Sequence, residues 1–286
     1  MKKIKFNSLV VMSLVFFTLL TSGVTTQAKS SVLVNQSYDV TSKNYNYTGQ
    51  ALNQSWGLGK YQTEYVSNNK PYDWYIDQGN TGAYSDSNCG PSSTTMALKW
   101  VNGNFNRTAE DARNTYRSSG GWWYTDDVTN YLNLYNSRYS VKDLGKTIPQ
   151  GEVVLKDQLK QGNIAILCID TSYLPYNSLS ERRVGKFYSY SGGHFIVVKG
   201  YRVVDGKTYF EVYDPNNWNE HYRDGQEKGK DRYYLSKDLM NAEINWWNYA
   251  IVVQPQNSRL SSSLNMVRSL KRDQVDITKI KSAYGR

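Results

Sequence analysis

The sequence predicts an α+β fold, a helical part followed by an antiparallel sheet. Apolar residues recur at helical spacing between residues 92 and 161, and from residue 164 onward they cluster in short runs of strand length. An Asp205-Gly206 pair between two such runs adds a tight hairpin, the connection that antiparallel strands use.

Lys2, Lys3 and Lys5 precede an apolar run over 9–20 and then Thr26-Gln27-Ala28. This is the pattern of a secretory signal peptide, 1–28, cut after Ala28. The run is shorter than the ~20 apolar residues a bilayer helix needs, so stable membrane insertion is not expected. With no Cys near the cut, a lipid anchor is not expected either. Residues 29–70 are polar and rich in Asn, Tyr and Ser, and read as a loosely ordered N-terminal arm.

The folded domain is expected over 71–254. Cys89-Gly90-Pro91 opens a first helix, with Met96, Ala97, Trp100 and Val101 on one face and Pro91 in the first turn, where its missing N–H costs nothing. Helices near 108–117 and after 125 follow, with Thr108 and Thr125 as N-caps and Val128, Tyr131, Leu132 and Tyr135 on one stripe. A short helix over 152–161 ends at Gly162, a residue suited to the left-handed C-terminal position. Strands are expected over 164–169, 194–204, 208–213, 232–235 and 249–253, with a short helix from Ser236.

The formal charge of +9 is unevenly spread. Three Lys leave with the signal peptide, and the tail over 255–286 holds seven Lys or Arg against two Asp, so the body is about neutral. Without a nucleic-acid motif such a tail reads as solvated surface, with loose attraction to acidic cell-wall polymers as a second role. Only two Cys and two His occur, which excludes a disulfide scaffold and a dense Cys/His metal cluster.

Those four residues narrow the chemistry. A thiol attacks a carbonyl as thiolate, and a helix N-terminus, where Cys89 is expected, favours that anion. The imidazole that takes and returns the proton is better supplied by His194, which follows Gly192-Gly193 and opens a strand, than by His221 in a charged loop. Cys168 lies in the apolar run Ile164-Ala165-Ile166-Leu167-Cys168-Ile169 and reads as a buried free thiol, with a Cys89–Cys168 disulfide as the alternative.

Asn88-Cys89-Gly90-Pro91-Ser92-Ser93, the run from Gly193-His194-Phe195 to Lys199-Gly200-Tyr201, and Tyr213-Asp214-Pro215 together resemble the C39-like peptidases, a family with the papain-like fold. The resemblance covers roughly 71–253. It implies a helical part packed on a C-terminal antiparallel sheet, with Cys89 as nucleophile, His194 as general base and acid, and Asp214 as the group that orients the imidazole. It also implies an upstream Gln in the oxyanion hole. Gln78 is the match, although Gln54 and Gln62 also lie upstream. Many relatives trim leader peptides as part of membrane exporters; this chain has no transporter segment, so that substrate is not carried over.

Asp214 raises a question of register. A two-residue turn at Asp205-Gly206 pairs Val197 with Asp214 and puts His194 and Asp214 on opposite sheet faces, because side chains alternate. One β-bulge near Gly200 restores a common face. Asn217 without the bulge, or Asn216 with it, is the alternative orienting group.

These readings predict a secreted, extracellular or wall-associated cysteine peptidase acting on peptide or protein through an acyl-enzyme, with no metal or organic cofactor called for and no nucleic-acid partner. The alternatives are a peptidoglycan-directed or acyl-transferring enzyme on the same triad, and a catalytically silent surface-binding domain. The loop over 171–190, with Tyr173, Tyr176, Phe187, Tyr188 and Tyr190, is placed to overhang the cleft or to pack on the surface.

Overall fold

A computed structural model describes residues 51–256. The expected signal peptide, most of the N-terminal arm and all but the start of the basic tail lie outside the described residues. Helices α1 (Cys89–Val101), α2 (Ala109–Thr115), α3 (Thr125–Leu134), α4 (Ile148–Lys160) and α5 (Ser236–Ile244) accompany strands β1 (Gln62–Ser67), β2 (Tyr139–Asp143), β3 (Ile164–Asp170), β4 (Gly193–Val204), β5 (Lys207–Tyr213), β6 (Arg232–Leu235) and β7 (Tyr249–Val253). The strands form one antiparallel sheet in the order β2-β7-β3-β4-β5-β6, with β1 also on β4.

Each helix start has a local cause. Thr108 caps α2 through a reciprocal box with Asp111. At α3, Thr125 is the first helical residue rather than the cap, and the Asp127 carboxylate turns back to accept the Tyr124 N–H at 2.8 Å. Helix α4 begins at Ile148, four residues earlier than expected, because Pro149 falls in its first turn, where proline fits. Just past its end Gly162 takes φ +82°, as expected of a left-handed closing residue.

Strand alternation divides the core. Ile164, Ile166 and Cys168 of β3 face α1 and α3, while Ala165, Leu167 and Ile169 face α4 and α5. Burying each of the larger of these side chains contributes about 1.5–3 kcal/mol. The sheet is thus covered on both faces, and α1 is held against the strand that carries His194.

Two elements correct the sequence reading. The arm expected to be loose over 29–70 is ordered in its last part. Residues 51–56 are helical, and β1 pairs Ser67 with Gly200 and Val66 with Tyr201. Strand β2, which pairs with β7, was not anticipated; Tyr139–Asp143 is short and its half-buried pattern shows no clear alternation. The Asp205-Gly206 turn forms as expected, with φ of +49° and +73° and Val204 opposite Lys207.

The twelve-residue β4 changes neighbour along its length. Its first half pairs with β3 and its second with β1, while β5 lines the opposite edge. At the changeover Lys199 is an extra residue, the register with β5 shifting between Val198 and Gly200. Its carbonyl accepts the Asn68 N–H at 2.8 Å. Gly200 is required next to it, since a Cβ there would lie 2.3 Å from the Val66 carbonyl oxygen. The bulged Lys199 side chain is fully buried and ion-paired with Glu211 and Asp231.

Candidate active site

Cys89 is the first residue of α1 and is 4% exposed. Next to it Gly90 leaves room for Trp123, whose Cβ would be 2.7 Å from any Cβ at residue 90. One turn on, Ser93 Oγ donates to the carbonyl of Phe195 at 3.1 Å, tying α1 to β4 beside His194. The elements bearing the thiol and the imidazole are therefore joined at the site itself.

His194 is the second residue of β4 and is buried. Its Nε2 lies 2.7 Å from Asp214 Oδ1, leaving Nδ1 for the sulfur side. Asp214 follows the end of β5 and is fully buried. Its Oδ1 also accepts the Asn216 N–H at 3.0 Å, and its Oδ2 accepts the hydroxyls of Tyr188 at 3.1 Å and Tyr234 at 2.5 Å. Four donors on one carboxylate hold it ionised in a dry place. Burial pushes its pKa up, but the imidazole and these hydrogen bonds outweigh that and set it below the usual carboxylate value.

Burial likewise pulls His194 down, and the Asp214 carboxylate outweighs it by charge and hydrogen bonding. The Cys89 thiol adds to this from the other side, and the imidazole stands at about 10. The ring is thus protonated across the neutral range.

The bulge at Lys199 puts His194 and Asp214 on one sheet face. Among the described residues neither asparagine is hydrogen-bonded to the imidazole. The Asn216 oxygen accepts from Tyr190 and Trp218, and Asn217 bonds Asp77 and the Gly229 N–H. His221 is exposed, with Nδ1 on its neighbour's Asn219 carbonyl.

Gln78 opens a short 3-10 turn, Gln78–Asn80. Its backbone N–H donates to Pro215 beside Asp214, and its Nε2 donates to the Ser85 carbonyl at 3.1 Å, four residues before Cys89. Among the described residues no hydrogen bond joins Gln78 to Cys89 or His194. Asp77 fastens the two loops, accepting from the N–H groups of Gly79, Trp218 and Asn219.

Both cysteines are free. Cys89 and Cys168 line one narrow cleft together with Trp122, Trp123, His194, Phe195 and Trp246. Burial, then the nearby Glu243 carboxylate, pushes the Cys168 thiol well up, so this sulfur is the poorer nucleophile. Among the described residues no group of three or more His, Cys, Asp or Glu is placed to hold a metal, and no helix is long and apolar enough to cross a membrane.

Sequence reasoning missed Tyr188, Tyr234 and Ser93. Tyr188 stood among five aromatic residues of one loop, and Tyr234 on a strand read only as core. Nothing local marks which tyrosine reaches a carboxylate twenty or more residues away.

No curated protein matches the chain. Among solved structures, a candidate C39-like peptidase from Bacillus anthracis aligns at 16% identity, covering 68% of this chain and 99% of its own, with a TM-score of 0.45. Digestive procathepsin L 3 from the larval midgut of Tenebrio molitor aligns at 17% identity, covering 68% and 70%, with a TM-score of 0.43. The profile of the Peptidase_C39 like family matches residues 73–240. That span includes Cys89, His194, Asp214 and Gln78, and the fold is the α+β arrangement of helices packed on an antiparallel sheet that the three motifs imply. The chain belongs to the Peptidase_C39 like family.

Proposed function

We propose that this protein is a secreted cysteine peptidase that cleaves peptide bonds through Cys89, His194 and Asp214. The observation that carries the proposal is the buried His194, bridged to the fully buried Asp214 on one side and met by Cys89 at a helix start on the other. With the proton held on His194, the sulfur is the nucleophile. It attacks the carbonyl carbon of the scissile bond, and the carbonyl π electrons move to oxygen. Collapse of this intermediate forms a thioester and expels the amine, which takes the His194 proton. Water then attacks the thioester while His194 accepts its proton, releasing the acid and restoring the thiolate beside protonated His194. Asp214 keeps the ring oriented and its positive charge compensated throughout.

The oxyanion is held by the Cys89 N–H and the second Nε2 hydrogen of Gln78, whose first is committed to Ser85. Each such donor is worth about 3 kcal/mol. Export rests on the Lys2, Lys3 and Lys5 cluster, the apolar run and the Ala28 site.

The test is the rate at which iodoacetamide alkylates native protein across about pH 4 to 9, with the site mapped by mass spectrometry, beside cleavage of a peptide library. Fast labelling of Cys89 at acidic pH, slowed in His194→Ala and absent in Cys89→Ser along with cleavage, is the expected result. Slow and equal labelling of both cysteines sinks the proposal.

A further inference from the structure

One buried cation near the site has no role in the mechanism above. Arg113, on α2, is 1% exposed. Its guanidinium donates to Asn88 Oδ1 at 2.7 Å, to the Ser87 carbonyl at 2.8 Å and to the Gly121 carbonyl at 2.8 Å. A longer contact reaches the Arg117 carbonyl at 3.5 Å. All of these acceptors are neutral, and among the described residues no carboxylate forms an ion pair with Arg113. Its charge is therefore enclosed without a direct counter-ion, an expensive arrangement for a purely structural residue.

The acceptors are the two residues before Cys89 and the one before Trp122-Trp123, which line the cleft. Asn88 occupies the N-cap position of α1, where an Asn side chain ordinarily accepts a first-turn N–H. It makes no such bond here. Its oxygen is taken by Arg113, and its amide donates to the Thr81 carbonyl and hydroxyl at 3.0 and 2.9 Å. Pro91 has no N–H, and among the described residues the N–H groups of Cys89 and Gly90 donate to no protein acceptor. The helix start is thus left uncapped at the sulfur, with a fixed positive charge behind it.

Resting on the reading of Cys89 as nucleophile, we propose that Arg113 is a positioning residue for the thiolate: it draws Asn88 off the helix cap and supplies a buried positive charge behind the start of α1. Two N–H groups and one charge then face any anion that forms on Cys89 or on the carbonyl it attacks. Burial lowers the pKa of Arg113 and the Arg117 charge adds to this, while Cys89 is the group that most opposes it, ahead of Asp127 and Tyr84. The other charged groups of these elements are Glu110 and Asp111 on the same helix and Asp86 in the turn before Asn88, and Asp127 is itself paired with Arg117 at 2.7 Å.

The experiment follows Cys89 alkylation by iodoacetamide against pH in full-length protein and in Arg113→Met, Arg113→Gln and Arg113→Lys, each checked for folding by circular dichroism. The neutral variants are expected to move the acidic limb about one pH unit upward, a roughly tenfold slower reaction at about pH 5, while Arg113→Lys stays near wild type. Either neutral variant, if folded, gives the reading, and Gln retains an amide donor for Ser87 or Asn88. A neutral variant with an unchanged profile overturns the proposal, as does Arg113→Lys shifted as far as Met. If no neutral variant folds, Arg113→Lys decides: a tenfold loss at about pH 5 overturns the role of charge, and a wild-type profile upholds it. Failure of wild-type Cys89 to react at acidic pH would instead remove the nucleophile reading itself.

Discussion

At the residue scale, the decisive group is Asp214, whose four donors keep an anion where burial alone would neutralise it. Removing one of them in Tyr234→Phe is expected to lower stability by about 1–2 kcal/mol. The carboxylate is then less well held, the imidazole is less firmly oriented, and kcat falls across the whole pH range. Kinetics across pH, set beside urea melts, check both effects. The ion pair also makes stability depend on pH. His194 stands above its ordinary 6.5, so its contribution is complete below about that pH and is lost as pH rises through about 10. Asp214 stands below its ordinary 3.8, so its contribution is complete above that value and is lost as pH falls through the folded pKa. Asp214→Asn should therefore destabilise most between about pH 4 and 6.5, with the gap to wild type closing toward pH 10. Chemical denaturation at several pH values measures this; a constant gap would show that the pair does not titrate as described.

At the element scale, the bulge in β4 determines which residue orients the imidazole. Regular pairing from the Asp205-Gly206 turn would send His194 and Asp214 to opposite faces, and the extra Lys199 returns them to one. Deleting Lys199 is expected to keep the sheet by far-ultraviolet circular dichroism while lowering kcat by at least about a hundredfold, since a misplaced base forfeits orientation. Full activity in a folded deletion would show that another residue serves the imidazole. Gly200→Ala forces a Cβ onto the Val66 carbonyl and should cost about 1–3 kcal/mol, read as a lower melting temperature. The need for a bulge was legible in the sequence, because turn length and motif spacing conflicted. Its seat one residue earlier, at Lys199, was not, because that depends on Glu211 and Asp231 closing over the lysine.

At the scale of the whole molecule, β1 makes the start of the domain earlier than composition suggested. A chain beginning at Ala51 should melt near full length, whereas one beginning at Pro71 exposes the edge of β4 at residues 200–204 and should melt well below it. Equal melting of the two would show that β1 adds nothing to the fold. The tail over 255–286 carries most of the net charge that lies beyond residue 28. Removing it should leave melting unchanged, and the proposed attraction to acidic wall polymers predicts a salt-sensitive co-sedimentation that the truncated chain loses.

The sequence by itself determined the order of the five helices α1 to α5 and of five of the seven strands, the family, and the pairing of a helix-start thiol with a strand-start imidazole, because periodicity, turn residues and motif order are all local in the chain. It also narrowed the imidazole's partner to Asp214, Asn216 or Asn217. Tertiary structure alone decided that Asp214 makes that contact, that Tyr188 and Tyr234 complete its hydrogen bonds, that residues 62–67 join the sheet, and that Arg113 stands behind Cys89. Each of these depends on side chains from distant segments meeting in a buried place, where an unmet charge or donor is expensive, and no local pattern records which segments meet.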